Sequence, residues 1–136
     1  MVETGSGHQI IIDEPGSNTG PKPVELLAAA LAGCTAFDVI TILRQKKHKK
    51  VTAYEVTVRA EQRQLPPQVF TKVTIHHSVT GPDVDAQSVE EAIELSEKKY
   101  CSVGAMVRQS GAEIATTYAV QSSEAAEVGS LHAVVA

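Results

Sequence analysis

Two cysteines carry the chemistry open to this chain: Cys34 in LLAAALAGCTAFDVITIL and Cys101 in LSEKKYCSVGAM, each on an apolar segment patterned as helix. If the fold brings them together they form a dithiol, which can be oxidised to a disulfide and restored by thiol exchange. Other groups offer less. His76 and His77 are adjacent in a strand pattern and so point to opposite faces, and the chain has neither CxxC nor HExxH, so no metal is expected. His77, on the apolar face, reads as a core histidine with its bonds satisfied rather than as a ligand. The sequence has no GxSxG elbow, no Walker loop and no GxGxxG, so neither a serine triad nor a nucleotide cofactor is expected. By residue type alone, the cysteines could equally be small buried packing residues, because free cysteine is among the most buried types.

With 136 residues the chain fits one domain and is long enough to bury roughly two thirds of its unfolded surface. Only two cysteines are present, and Met1–Gly20 lacks a charged leader, an apolar run and a cleavage pattern, so a reducing compartment, the cytoplasm, is expected. A formal net charge of -4 and a sequence pI of about 5.7 argue against nucleic acid as a partner, which needs clustered cations. The run from Arg44 to Lys50 is basic, but it ends a helical pattern, where cations suit the negative pole of the helix dipole.

The elements that must position the thiols follow from periodicity. Leu26 to Leu43 is the longest apolar stretch, started by Pro21 and Pro23 and interrupted by Thr35, Asp38 and Thr41. Being apolar almost all round, it reads as a fully buried core helix rather than a membrane span. Its ridge of Ala28, Ala29, Ala30, Ala32 and Gly33 predicts a close crossing with a second helix. His8–Asp13 reads as a short strand, and Val51–Arg63 and Val69–Thr80 alternate as two antiparallel strands joined by a proline loop. The first buries Tyr54, Val56, Val58 and Ala60, and the second Val69, Thr71, Val73, Ile75, His77 and Val79. Asp85 and Ser88 offer a cap for a helix from Ala86 to Cys101, with Val89, Ala92, Ile93 and Ser96 inside. A break at Ser102–Gly104 and a last strand, Ala112–Val120, complete the order. Strands grouped apart from alternating βαβ units predict an α+β fold, with helices against one face of an antiparallel sheet.

Three stretches in this order resemble the OsmC/Ohr superfamily, in its OsmC-like branch: Gly20–Leu27 running into Ala29–Thr35, Pro66–Lys72, and Leu95–Val103. The likeness covers about Gly5 to Val120, so an OsmC-like domain is expected over 1–120 and a poorly ordered C-terminal tail over 121–136. The resemblance implies an intertwined homodimer with the sheet packed on a long central helix and sites at the subunit interface. It implies thiol-dependent reduction of organic hydroperoxides with a dithiol reductant, Cys34 as the peroxidatic nucleophile and Cys101 as the resolving thiol. In the better-characterised branches an N-terminal arginine, held by a helix-start acid ten residues before the cysteine, activates the nucleophile. This chain has no arginine before Arg44, Val24 stands at the acid's place, and Glu25 follows it. Glu25 and Cys34 face opposite ways on an uninterrupted helix, so Glu25 reads as a first-turn acid suited to the helix N-terminus. Asp38, one turn after Cys34, opposes a thiolate unless a cation neutralises it; Lys22, Arg44, Arg59, Arg63 and Arg108 are the candidates. The alternative reading is a dimeric binding scaffold for a small apolar or thiol ligand, with little or no turnover.

Overall fold

The computed structural model of the chain describes residues 1–14, 16–122 and the backbone of 131–135. Val2–Glu3 (β1) and Gln9–Ile10 (β2) form a small antiparallel hairpin, where a strand over His8–Asp13 was expected.

Helix α1 spans Pro23–Thr41. Proline at its start needs no N–H partner, Lys22 before it is extended, and Glu25 lies in the first turn, where a carboxylate suits the dipole. A π-helical turn, Ile42–Lys46, continues it. The buried residues Ala28, Leu31, Ala32, Thr35, Ala36 and Val39 recur at helical spacing and form one face. The opposite face is not covered as the sequence pattern predicts: Leu27 is 46% exposed and Phe37 64%. A single sheet can cover only one side of a helix, so burial all round needs a second layer.

The sheet order is β5-β4-β3-β6. Strands β3 (Ala53–Gln62) and β4 (Phe70–Thr80) are antiparallel at its centre, with Tyr54 opposite Val79 and Val58 opposite Ile75. Tyr54, Val56, Val58, Val73, Ile75, His77 and Val79 are buried, matching the alternation. An irregularity at Glu61/Gln62 shifts the register, so Phe70 is buried and Val69 exposed, the reverse of the sequence expectation. The sheet is mixed rather than wholly antiparallel. Strand β5 (Glu113–Gln121) runs parallel to β4, since the helical crossover between them returns the chain to the end from which β4 began. Strand β6 (Leu131–Val135) runs parallel to β3. Within the tail expected to be poorly ordered, residues 123–130 and 136 lie outside the described residues, and Leu131–Val135 form β6.

The crossover begins at Gly81, where a Cβ would lie 2.0 Å from the Lys50 carbonyl oxygen. Helix α2 (Ala86–Leu95) is capped by Asp85, whose carboxylate accepts the Ser88 N–H at 3.2 Å. A π-helical turn, Ser96–Tyr100, follows; then Cys101 breaks the helix with an extended backbone and caps α3, Ser102–Gln109. The break therefore falls one residue before the predicted one, and the segment read as broken is helical. The basic run after α1 is partly engaged with α2: Lys47 pairs with Glu91, and Lys49 lies 3.2 Å from Asp85.

Candidate functional site

The two sulfurs are assembled by packing α1 against the α2–α3 junction. Cys34 lies midway along α1, half-buried, while Cys101 is 5% exposed between the π-helical turn and α3. Gly104 makes this approach possible: a Cβ there would stand 3.2 Å from Cys101 Sγ and 3.6 Å from Leu31 Cδ1. The thiol sulfurs and a carboxylate oxygen of Asp38 all lie within 4.8 Å of one another.

The two thiols have unlike environments. Cys101 Sγ accepts the Gly104 N–H at 3.3 Å. Burial, followed by its hydrogen bond to Cys34, pushes the Cys101 thiol up to about 12, with Gly104 opposing and the Asp38 charge adding a smaller upward push. Cys101 therefore keeps its proton at neutral pH, and Cys34 is the more accessible sulfur.

Asp38 is held by a polar chain. Ser96 Oγ donates to Asp38 Oδ2 at 3.0 Å, and Thr35 Oγ1 lies 3.2 Å from Ser96 Oγ. Since the single Ser96 hydroxyl proton goes to Asp38, Thr35 must donate to Ser96. Asp38 forms no ion pair among the described residues. Of the proposed cations, Lys22 lies 4.0 Å from Glu25, Arg44 donates to the Val51 carbonyl, and Arg108 donates to the Glu97 carbonyl and pairs with its carboxylate at 3.7 Å. Arg59 and Arg63 are exposed on and just beyond β3. Glu25, exposed beside Lys22 in the first turn of α1, is apart from the thiols.

His77 belongs to the core. Its Nδ1 is bonded to the Tyr54 hydroxyl, but its Nε2 has no partner among the described residues, so it is less satisfied than expected. Burial, with a contribution from His76, lowers His77 to about 4. Burial also raises Tyr54 above its usual range, so the phenol keeps its proton and shares one hydrogen bond with Nδ1. His76, on the outer face, is bonded to Thr117 Oγ1 at 2.7 Å.

Ser96, Thr35 and Gly104 are site residues that the motifs did not disclose. The readable signal was Ser96, a hydroxyl on the inner stripe of an amphipathic helix. Among the described residues, clefts open beside both ends of α1. One of about 430 Å³ is lined by Val24, Leu27, Pro67, Phe70, Met106 and their neighbours; one of about 280 Å³ lies between Phe37, Asp38, Lys46 and Tyr100.

These features define a class: an α+β protein with a dithiol held between its central helix and the helical crossover. A model of the family described as OsmC-like protein matches residues 16–117, and the chain belongs to that family. It is 39% identical to Protein YhfA of Escherichia coli K12 over 109 residues, covering 80% of this chain and 81% of YhfA. Among solved structures it resembles a hypothetical protein from Aquifex aeolicus VF5, with 31% identity, a TM-score of 0.76, and 88% of this chain and 84% of that one covered. It shares its fold with an organic hydroperoxide resistance protein OsmC from Legionella pneumophila, with 18% identity, a TM-score of 0.64, and coverage of 88% and 86%. Pro23–Lys46 is long and apolar enough to cross a membrane, but here one side of it carries the core of the domain, and OsmC-like proteins are generally soluble.

Proposed function

We propose that the chain reduces organic hydroperoxides at the expense of a dithiol, acting as a cytoplasmic homodimer with Cys34 as nucleophile and Cys101 as resolving thiol. The observation that carries this reading is the asymmetry of the pair: an accessible sulfur beside a buried one that retains its proton. Attack by the Cys34 thiolate on the distal peroxide oxygen forms an S–O bond and breaks the O–O bond; the alkoxide leaves and takes up a proton to give an alcohol. The Cys101 sulfur then attacks the resulting sulfenic acid, water leaves, and a disulfide forms. An external dithiol reduces the disulfide by exchange and is itself oxidised. The uncovered face of α1, with Leu27 and Phe37, suits a second copy, and the larger, apolar cleft beside it suits an organic rather than a hydrogen peroxide.

The test is dithiol consumption by the reduced protein with an organic hydroperoxide and, in parallel, with hydrogen peroxide. The expected result is faster turnover with the organic substrate and mass-spectrometric appearance of the intramolecular disulfide. Unchanged thiols at millimolar peroxide would sink the proposal. The commitment of Lys22, Arg44 and Arg108 to other partners favours a second reading, a dimeric scaffold for a small apolar or thiol ligand. Equal, slow rates with both peroxides would point to it.

A further inference from the structure

We propose that Cys34, Cys101 and Asp38 form a binding site for a thiophilic divalent cation of the Zn²⁺ class, an activity separate from peroxide reduction. Three observations carry this. First, the geometry is nearly assembled. Around a tetrahedral Zn²⁺ with Zn–S near 2.3 Å, two sulfurs stand about 3.8 Å apart. The three potential ligand atoms already lie within 4.8 Å of one another, so rotamer adjustments of about 1 Å close the site. Second, outer groups hold the ligands. Ser96 donates to Asp38 and is itself held by Thr35, while the Gly104 N–H points at Cys101 Sγ. Third, the charge is unbalanced: Asp38 sits among two ionisable thiols and forms no ion pair with a Lys, Arg or His among the described residues. A cation at their centre supplies the missing positive charge.

The donor set selects the metal. Two sulfurs disfavour Mg²⁺ and Ca²⁺, which take oxygen, and suit Zn²⁺, Co²⁺ and Cd²⁺. Binding releases the thiol protons to solvent, and three protein ligands leave one tetrahedral position for water or an exogenous thiol.

The experiment titrates the fully reduced protein with Co²⁺ alone, without peroxide, and then adds Zn²⁺. The expected result is a sulfur-to-cobalt charge-transfer band with tetrahedral d–d bands, saturating at one Co²⁺ per chain and abolished by Zn²⁺. Cys34→Ser and Cys101→Ser should each remove the charge-transfer intensity of their own thiolate. Asp38→Asn should weaken Co²⁺ affinity at least tenfold, and Ser96→Ala, which removes the hydrogen bonds behind Asp38 but no ligand atom, should weaken it roughly tenfold. Circular dichroism and melting of each metal-free variant establish that it is folded; the wild-type titration stands even if one is not. The proposal is overturned by a wild-type protein without the band, by a band that survives in the double cysteine variant, or by an Asp38→Asn affinity equal to wild type. Because no peroxide is present, a protein that binds Co²⁺ yet consumes no peroxide loses only the peroxidase reading, and the converse loses only this one.

Discussion

Ser96 Oγ donates to Asp38 Oδ2 at 3.0 Å, fastening the turn before Cys101 to the turn of α1 that follows Cys34. Ser96 is fully buried and Thr35 nearly so. The relative placement of the sulfurs therefore rests on a hydroxyl bridge as well as on apolar packing.

Replacing Ser96 with alanine should accordingly do more than remove a small side chain. Buried Thr35 loses its acceptor and Asp38 its donor, a cost of about 1–3 kcal/mol. Urea unfolding of the reduced variant against wild type measures it; a difference below a few tenths would mean the bridge is dispensable.

In the peroxidase reading the two cysteine variants should fail differently. With Cys101→Ser, peroxide should leave Cys34 as a sulfenic acid that a dimedone-type reagent traps. With Cys34→Ser, the buried Cys101 thiol should survive the same exposure intact. Mass spectrometry distinguishes them, and prior oxidation of Cys101 in the Cys34→Ser protein would reverse the assigned roles.

The uncovered face of α1 gives a test of assembly. Phe37 is 64% exposed in the single chain, so Phe37→Glu should change monomer stability by no more than about 0.5 kcal/mol. Buried against a second copy, the same carboxylate would prevent association. Light scattering should therefore show wild-type dimers and folded Phe37→Glu monomers; a monomeric wild type at the concentrations assayed would remove the homodimer.

His77 makes stability depend on pH. Its pKa is about 4 when folded against 6.5 for the unperturbed side chain, so between these values the unfolded chain binds more protons. Stability from this group is present above pH 6.5 and falls as pH drops toward 4, by roughly 3 kcal/mol in full. Denaturation from pH 7 to pH 5 should show the loss, and His77→Gln should flatten the slope over that interval whatever its absolute stability. The lowered carboxylates Asp13, Asp85 and Glu91 act in the same direction but at lower pH.

Much of this was legible in residue order. The alternation of Tyr54, Val56 and Val58 with Val73, Ile75, His77 and Val79 specified the inner faces of β3 and β4, because a strand's period of two leaves each side chain one face. The Asp85–Ser88 cap is local, so it too was readable. The Val69–Phe70 reversal was not, because the extra residue that sets it, Thr71 of β4, is extra only by its pairing with β3. The uncovered side of α1 escaped for a different reason: hydropathy records that a face is apolar, but not whether its cover comes from the same chain.

The sequence by itself determined the family, the α+β order of elements, and the helical contexts of Cys34 and Cys101, since these follow from local pattern and ordered motifs. Only the tertiary structure decided that the sulfurs and Asp38 lie within 4.8 Å, that Cys101 is the protonated partner, and that Ser96 bridges the helices. Distance, burial and hydrogen-bond partnership between segments 67 residues apart depend on how the helices pack, which no local pattern encodes.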